Sequence, residues 1–245
     1  MRIELDVQSR VLGKSTKVTV IYPYYDDAEG LHDTLYLLHG LGDDNTSWSR
    51  YTNVEVYAND NRTLVVMPDG DVSWYRDMRC GLPYFTYITE ELPAKIEFLF
   101  RHAPLGREHT IIGGASMGGY GAFTMAMRRP DLYSRAFAFS GALDLEDLRP
   151  WISQEIMYNA WGPFDEALKN DCNPFVLASG IDPKVCPELY MWCGTDDFLY
   201  SSSVKFRDHA ESLGLPLHYE EGPGSHIWPC WDIQIKKLLD RITVK

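Results

Sequence analysis

Residues Gly113 to Gly119 read GGASMGG, a serine enclosed by neighbours with almost no side chain. Glycine permits backbone angles and close approaches that other residues resist. Such a bend can hold a serine out as a nucleophile, although a plain Gly-rich loop would read the same way. Within it, Gly114-Ala115-Ser116-Met117-Gly118 fits G-x-S-x-G, in which the serine sits on a sharp strand-to-helix turn. The context suits that motif, with a strand-like HTIIGG before it and an apolar-periodic stretch after it. A helix beginning at Met117 would bring its positive N-terminal end to the place where negative charge develops during attack on a carbonyl.

A serine hydroxyl needs a base, and the base needs an acid to orient it. Of the seven histidines, His32, His102, His109, His209 and His218 lie in or beside expected elements without a glycine-rich turn. His226 differs, since it stands in EGPGSHIWPCW, between the last expected strand and the last helix. For the acid, MWCGTDDFLY places Asp196 and Asp197 in the turn after the preceding strand. The order Ser116, Asp197, His226 is that of a nucleophile-elbow hydrolase. In hydrolases of that kind the acid usually follows the pattern G-T-x-D, and this resemblance favours Asp197 and leaves Asp196 as a structural residue or helix cap.

The oxyanion of the tetrahedral intermediate needs two backbone N–H donors. One falls to Met117, and the other to Leu41 in LLHGLGDDNTSW, where Gly40 and Gly42 let the chain turn its amide inward. His39 reads as a support for that turn. Trp48, Trp74, Tyr75 and Trp228 stand beside these loops and are the candidates for a substrate pocket wall, with packing as the alternative. Cys230 reads as a buried thiol beside His226.

The elements that must position these residues alternate strand and helix. RIELDV and KVTVIY, with Gly13 between them, read as an antiparallel hairpin. TLYLLHG, TLVVMPDG, HTIIGGAS, RAFAFSG and LYMWCGTDD are short, continuously apolar runs suited to parallel strands buried on both faces. Helices are expected at Ser49–Asn59, Glu90–Arg101, Met117–Arg129 and Ser202–Leu213, with WDIQIKKLLDRI closing the domain. Ligands of open α/β sheets bind beyond the carboxyl ends of the strands, where each of these runs ends in a Gly-, Asp- or His-containing turn. The stretch from 143 to about 187 interrupts the alternation and reads as a small cap or lid insertion within a single domain spanning 1–245. It is too short to bury a good core alone.

The 245 residues are 45% hydrophobic, enough for one substantial core, and carry a formal net charge of −12. That charge excludes nucleic acid and anionic membrane surfaces as expected partners. The opening MRIELDVQSR lacks an apolar h-region, and no run approaches the ~20 residues needed to span a bilayer. Five cysteines without a CxxC pair suggest free thiols in a reducing cytoplasm. Neither a metal nor a cofactor is expected.

In their order, LLHGLGDDNTSW, VVMPDGDVSWYRD, GASMGGYGA, CGTDDFLY and GSHIWPCW resemble the esterase D / tributyrin esterase family of α/β hydrolases. The resemblance covers nearly the whole chain. It implies an eight-stranded, mostly parallel sheet with flanking helices, and metal-independent ester hydrolysis through an acyl-enzyme. It carries Ser116, Asp197 and His226 over as triad, and Leu41 and Met117 as oxyanion amides. The expected function is a serine carboxylesterase acting on a small-molecule ester, which could be carbohydrate-linked. Short aliphatic, acetyl-sugar and feruloyl esters would all suit a pocket of Trp, Tyr and Phe. Feruloyl or acetylxylan esterase, S-formylglutathione hydrolase, acyltransferase and a non-catalytic binding protein on the same fold are the alternatives.

Overall fold

The computed structural model describes residues 1–24 and 30–243. Eight strands form one sheet in the order β1-β2-β4-β3-β5-β6-β7-β8. β1 (Arg2–Ser9) and β2 (Lys14–Ile21) form the expected antiparallel hairpin, turning through Gly13 at φ 67°. β2 also pairs antiparallel with β4 (Thr63–Pro68). From there the sheet is parallel, through β3 (Asp33–Leu38), β5 (Thr110–Ala115), β6 (Arg135–Phe139), β7 (Glu188–Gly194) and β8 (Leu217–Gly222).

Strand periodicity of two divides the apolar residues between the two faces. Tyr36 and Leu38 of β3, with Leu64 and Val66 of β4, join one core cluster. Their neighbours Leu35, Leu37, Val65 and Met67 join the other. Both faces are covered, which is why these strands read as unbroken apolar runs. β8 escaped that reading because LHYEEG is a polar edge strand without a fully buried residue.

The helices are α1 (Ser47–Tyr51), α2 (Val54–Asp60), α3 (Tyr84–Thr86), α4 (Leu92–Leu99), α5 (Met117–Arg128), α6 (Gln154–Trp161), α7 (Phe164–Ala167), α8 (Pro174–Gly180), α9 (Tyr200–Ser212) and α10 (Trp228–Thr243). Two departures from expectation have local causes. The single helix expected over Ser49–Asn59 is broken into α1 and α2. Thr52 turns extended, bonds back to the Trp48 carbonyl, and the next N–H, on Asn53, is captured by Asp232 of α10 at 2.7 Å. The helix expected from Glu90 starts six residues earlier, as α3, passes through a π turn at Tyr87–Glu91 and continues as α4. Pro93 has no N–H to donate to the preceding turn, and the wider π turn lies immediately ahead of it.

The segment between β6 and β7 carries α6, α7 and α8. Its Leu143, Leu148, Met157, Trp161 and Ala178 are buried in the same cluster as the sheet residues and α5. It is pinned to the core by polar contacts as well. The Arg76 guanidinium donates to the Asp171 carbonyl at 2.7 Å and carboxylate at 2.9 Å, and the Tyr120 hydroxyl donates to the Cys172 carbonyl at 2.7 Å. Among the described residues no helix is long and apolar enough to cross a membrane.

Candidate active site

The turns after the parallel strands all open at one edge of the sheet, so residues far apart in sequence meet there. Ser116 follows β5 directly with φ 57° and ψ −119°, a conformation costly for a residue with a Cβ, and begins α5. The glycines two positions either side explain how the bend is possible. A Cβ on Gly114 would lie 2.5 Å from the Gly118 carbonyl carbon and 2.7 Å from the Leu38 oxygen. One on Gly118 would land on the Leu38 oxygen and come within 2.8 Å of the His39 oxygen. Both positions press backbone against backbone, which cannot yield as a side chain can.

The loop after β3 passes over the serine. A Cβ on Gly40 would sit 3.7 Å from the Ser116 Cβ and 3.1 Å from Asp43 Oδ2. His39 organises this loop. Its Nε2 accepts the Gly70 N–H at 2.9 Å, so the ring proton is on Nδ1, which donates to the Gly40 carbonyl at 2.8 Å. Among the described residues the backbone N–H groups of Leu41 and Met117 donate to no protein group. The Asp43 carboxyl is pushed up by burial, against the opposing pull of the Ser47 hydroxyl and His39.

After β7, Asp197 is buried and His226 approaches it from the loop following β8. His226 Nδ1 lies 3.0 and 3.1 Å from the two Asp197 carboxylate oxygens. Burial alone would raise the Asp197 carboxyl. The His226 hydrogen bond and charge, with the Leu199 N–H at 2.9 Å and the Ser140 hydroxyl, hold it below the usual carboxylate range instead. Asp196 is exposed, its N–H goes to the Gly224 carbonyl at 2.9 Å, and it caps nothing, since α9 starts from Leu199 without a side-chain cap.

Three of the four expected pocket residues stand behind the site instead of lining it. Trp48, Trp74 and Tyr75 expose 1%, 1% and 0% of their surface. Trp48 donates its indole N–H to the Leu38 carbonyl at 2.9 Å, holding the end of β3. Tyr75 fills the space left by Gly70 and Gly121, where either Cβ would strike its ring, and its hydroxyl holds the His39 carbonyl at 2.8 Å. Trp74 packs edge-on against Trp161 and Tyr120. Their position near the motifs made them candidates; their burial makes them supports. Trp228 keeps a partly exposed ring, stacked on Tyr51 and edge-on to Trp48. Cys230 is half-buried, against the expectation of a buried thiol.

The rim of the site holds residues that the sequence did not single out. Phe198, 43% exposed, lies with its ring centroid 4.6 Å from that of His226, and Trp151, 63% exposed, lies 4.8 Å from Phe198. Phe198 directly follows Asp197, a sequence signal that was available. Trp151 had none, because only the folding of the β6–β7 segment brings it near.

The sequence of residues 9–242 matches the model of the Esterase family, described as "Putative esterase". An acetyl esterase of Caldicellulosiruptor saccharolyticus is 27% identical over 260 residues, covering 97% of this chain and 96% of its own. Two solved Staphylococcus aureus structures align at 30% identity. FphF, a fluorophosphonate-binding serine hydrolase, superposes with a TM-score of 0.91, covering 100% of this chain and 99% of its own. The S-formylglutathione hydrolase FrmB superposes with a TM-score of 0.88, covering 99% and 98%. With its eight-stranded sheet, its serine on a strained strand-to-helix turn and its buried Asp197–His226 pair, this chain belongs to the Esterase family of α/β-hydrolase-fold carboxylic ester hydrolases.

Proposed function

We propose that this esterase cleaves esters of short acyl groups through a Ser116 acyl-enzyme. His226 takes the Ser116 proton as the hydroxyl attacks the ester carbonyl, then delivers it to the leaving alcohol oxygen. Asp197 holds the imidazole with its proton on Nδ1 and steadies the charge that forms on it. The N–H groups of Leu41 and Met117 receive the oxyanion. A water activated by His226 then releases the acid and frees Ser116.

The observation that carries this reading is the buried Asp197 carboxylate facing Nδ1 of His226 with both oxygens. That contact leaves Nε2 as the nitrogen free to work on the serine. The exposed Phe198 and Trp151 support an alcohol half with an apolar face, a sugar ring or an aryl group, because the leaving oxygen must lie beside the imidazole that protonates it. The β6–β7 segment thereby acts as a cap that contributes to substrate selection. The five free thiols suit a reducing compartment, and we place the protein in the cytoplasm.

The test is Ser116→Ala assayed on p-nitrophenyl acetate and butyrate, with circular dichroism as the check on folding. Hydrolysis and labelling by a fluorophosphonate probe should both vanish. A folded Ser116→Ala protein that still turns over these esters would refute the nucleophile assignment. A wild-type protein that is labelled but transfers its acyl group to an added sugar in preference to water would be an acyltransferase.

A further inference from the structure

Trp151 and Phe198, the paired rings of the rim, belong to separate parts of the chain. Phe198 directly follows Asp197, and the start of α9 is tied to that residue. The Leu199 N–H donates to Asp197 Oδ1 at 2.9 Å and the Tyr200 N–H to the Asp197 carbonyl at 3.0 Å. Trp151 ends a ladder of turns at the opening of the β6–β7 segment. The Leu148 N–H donates to the Leu145 carbonyl at 3.3 Å, and the Trp151 N–H to the Leu148 carbonyl at 2.9 Å. Leu145 and Leu148 are buried in the core, which holds this ladder from below.

Lys205 of α9 holds it from the side. Its ammonium donates to Asp144 Oδ2 at 2.8 Å and to the two Asp147 carboxylate oxygens at 2.9 and 3.0 Å. Two serines of α9 add to the link. The Ser201 hydroxyl donates to Asp147 Oδ2 at 3.2 Å, and the Ser202 hydroxyl accepts the Asp144 N–H at 2.8 Å. An isolated, exposed ion pair contributes little. Here one ammonium serves two carboxylates that keep only 17% and 28% of their surface exposed. The ladder cannot slide along α9 without breaking all of these contacts.

We infer that Lys205 is a positioning residue for substrate selection, clamping the Asp144–Trp151 turns to α9 and so setting the rim between Trp151 and Phe198. The link is short in chain terms, because Trp151 lies one turn beyond Asp147 and Phe198 lies one residue before the first turn of α9. Lys205 itself is hydrogen-bonded to neither Asp197 nor His226 among the described residues. Its effect on catalysis therefore passes through Trp151, and only while a substrate group occupies the rim.

This inference rests on the reading above that the rim receives the alcohol half of the ester, and its experiment separates the two. Lys205→Met keeps a side chain of similar reach and removes the charge. The readout is kcat/KM on phenyl acetate and on methyl acetate, which reports acylation while the alcohol is still bound. On phenyl acetate Lys205→Met should lose about two- to four-fold, since the turn is loosened and not removed. On methyl acetate it should match wild type. In a Trp151→Ala background, Lys205→Met should change neither value, because the ring it positions is gone. Asp147→Asn, which weakens one arm of the clamp, should show the same pattern to a smaller degree, and it carries the test if Lys205→Met does not fold. Equal losses on both esters, losses that multiply with those of Trp151→Ala, or no loss in either variant would overturn the inference, because a clamp that only stabilises the fold predicts such results. A Trp151→Ala enzyme as active as wild type on phenyl acetate would overturn the alcohol-half reading, and the role of Lys205 with it.

Discussion

The imidazole of His39 holds the carbonyl oxygen of Gly40, and so decides where the amide of Leu41 points. The two groups belong to one planar trans peptide, whose C=O and N–H face opposite ways. With the oxygen drawn to His39 Nδ1 at 2.8 Å and to the Asp43 N–H at 3.2 Å, the Leu41 N–H is turned away from both. A residue that touches no substrate therefore sets the aim of one proposed oxyanion donor.

His39→Ala should consequently lower kcat for p-nitrophenyl acetate by ~10- to 100-fold with little change in KM. Outright removal of an oxyanion donor costs ~100- to 1,000-fold, and a misaimed donor should cost less. Steady-state kinetics on the folded variant provide the check, and an unchanged kcat would show that the loop holds its shape without His39.

The glycines of the elbow should differ sharply from glycines elsewhere. Gly118→Ala places a methyl on the Leu38 carbonyl oxygen, and Gly114→Ala places one against Gly118. Each should destabilise the fold by ~1–3 kcal/mol or more, since only backbone movement can relieve the overlap. Gly180→Ala meets nothing within 4 Å and has no unusual φ, so it should change stability by no more than about 1 kcal/mol. Urea midpoints for the three variants would settle the comparison.

Asp197→Asn should reduce kcat by about 10⁴-fold, as happens when a triad acid can no longer hold the histidine tautomer. Its effect on acid stability also has a definite sign. The folded-state pKa is depressed, so the carboxylate contributes stability that is present above the unfolded value of about 3.9 and is lost as pH falls through the folded one. Denaturant unfolding below about pH 4 should therefore show a shallower pH slope in Asp197→Asn than in wild type.

Phe198→Ala and Trp151→Ala should act on the alcohol half of the substrate. With an aryl or sugar acetate, kcat/KM should fall several-fold to about ten-fold, in line with ~0.5–1.5 kcal/mol for each aromatic contact. Methyl acetate, whose alcohol is too small to reach Phe198, should be hydrolysed as by wild type. Since the acyl-enzyme no longer carries the alcohol, deacylation rates should also be unaffected. Equal losses on all esters would point to displacement of His226 instead.

The legible part of this protein is the part with local physical causes. GASMG announces a tight bend because its steric demand falls on adjacent residues, and the strands between β3 and β7 announce themselves because burial on both faces removes their polar residues. The chain order of Ser116, Asp197 and His226 is likewise written along the sequence, one residue at the end of each of three strands. Long-range packing decided the rest. Only the fold shows that Asp197 reaches His226 while Asp196 faces solvent, since both stand in the same turn. Only the fold buries Trp48, Trp74 and Tyr75 behind the site, because the spaces they fill are bounded by chain from other strands and helices. The same holds for Trp151 at the rim, whose partner Phe198 lies 47 positions from it, where no sequence periodicity can register the contact.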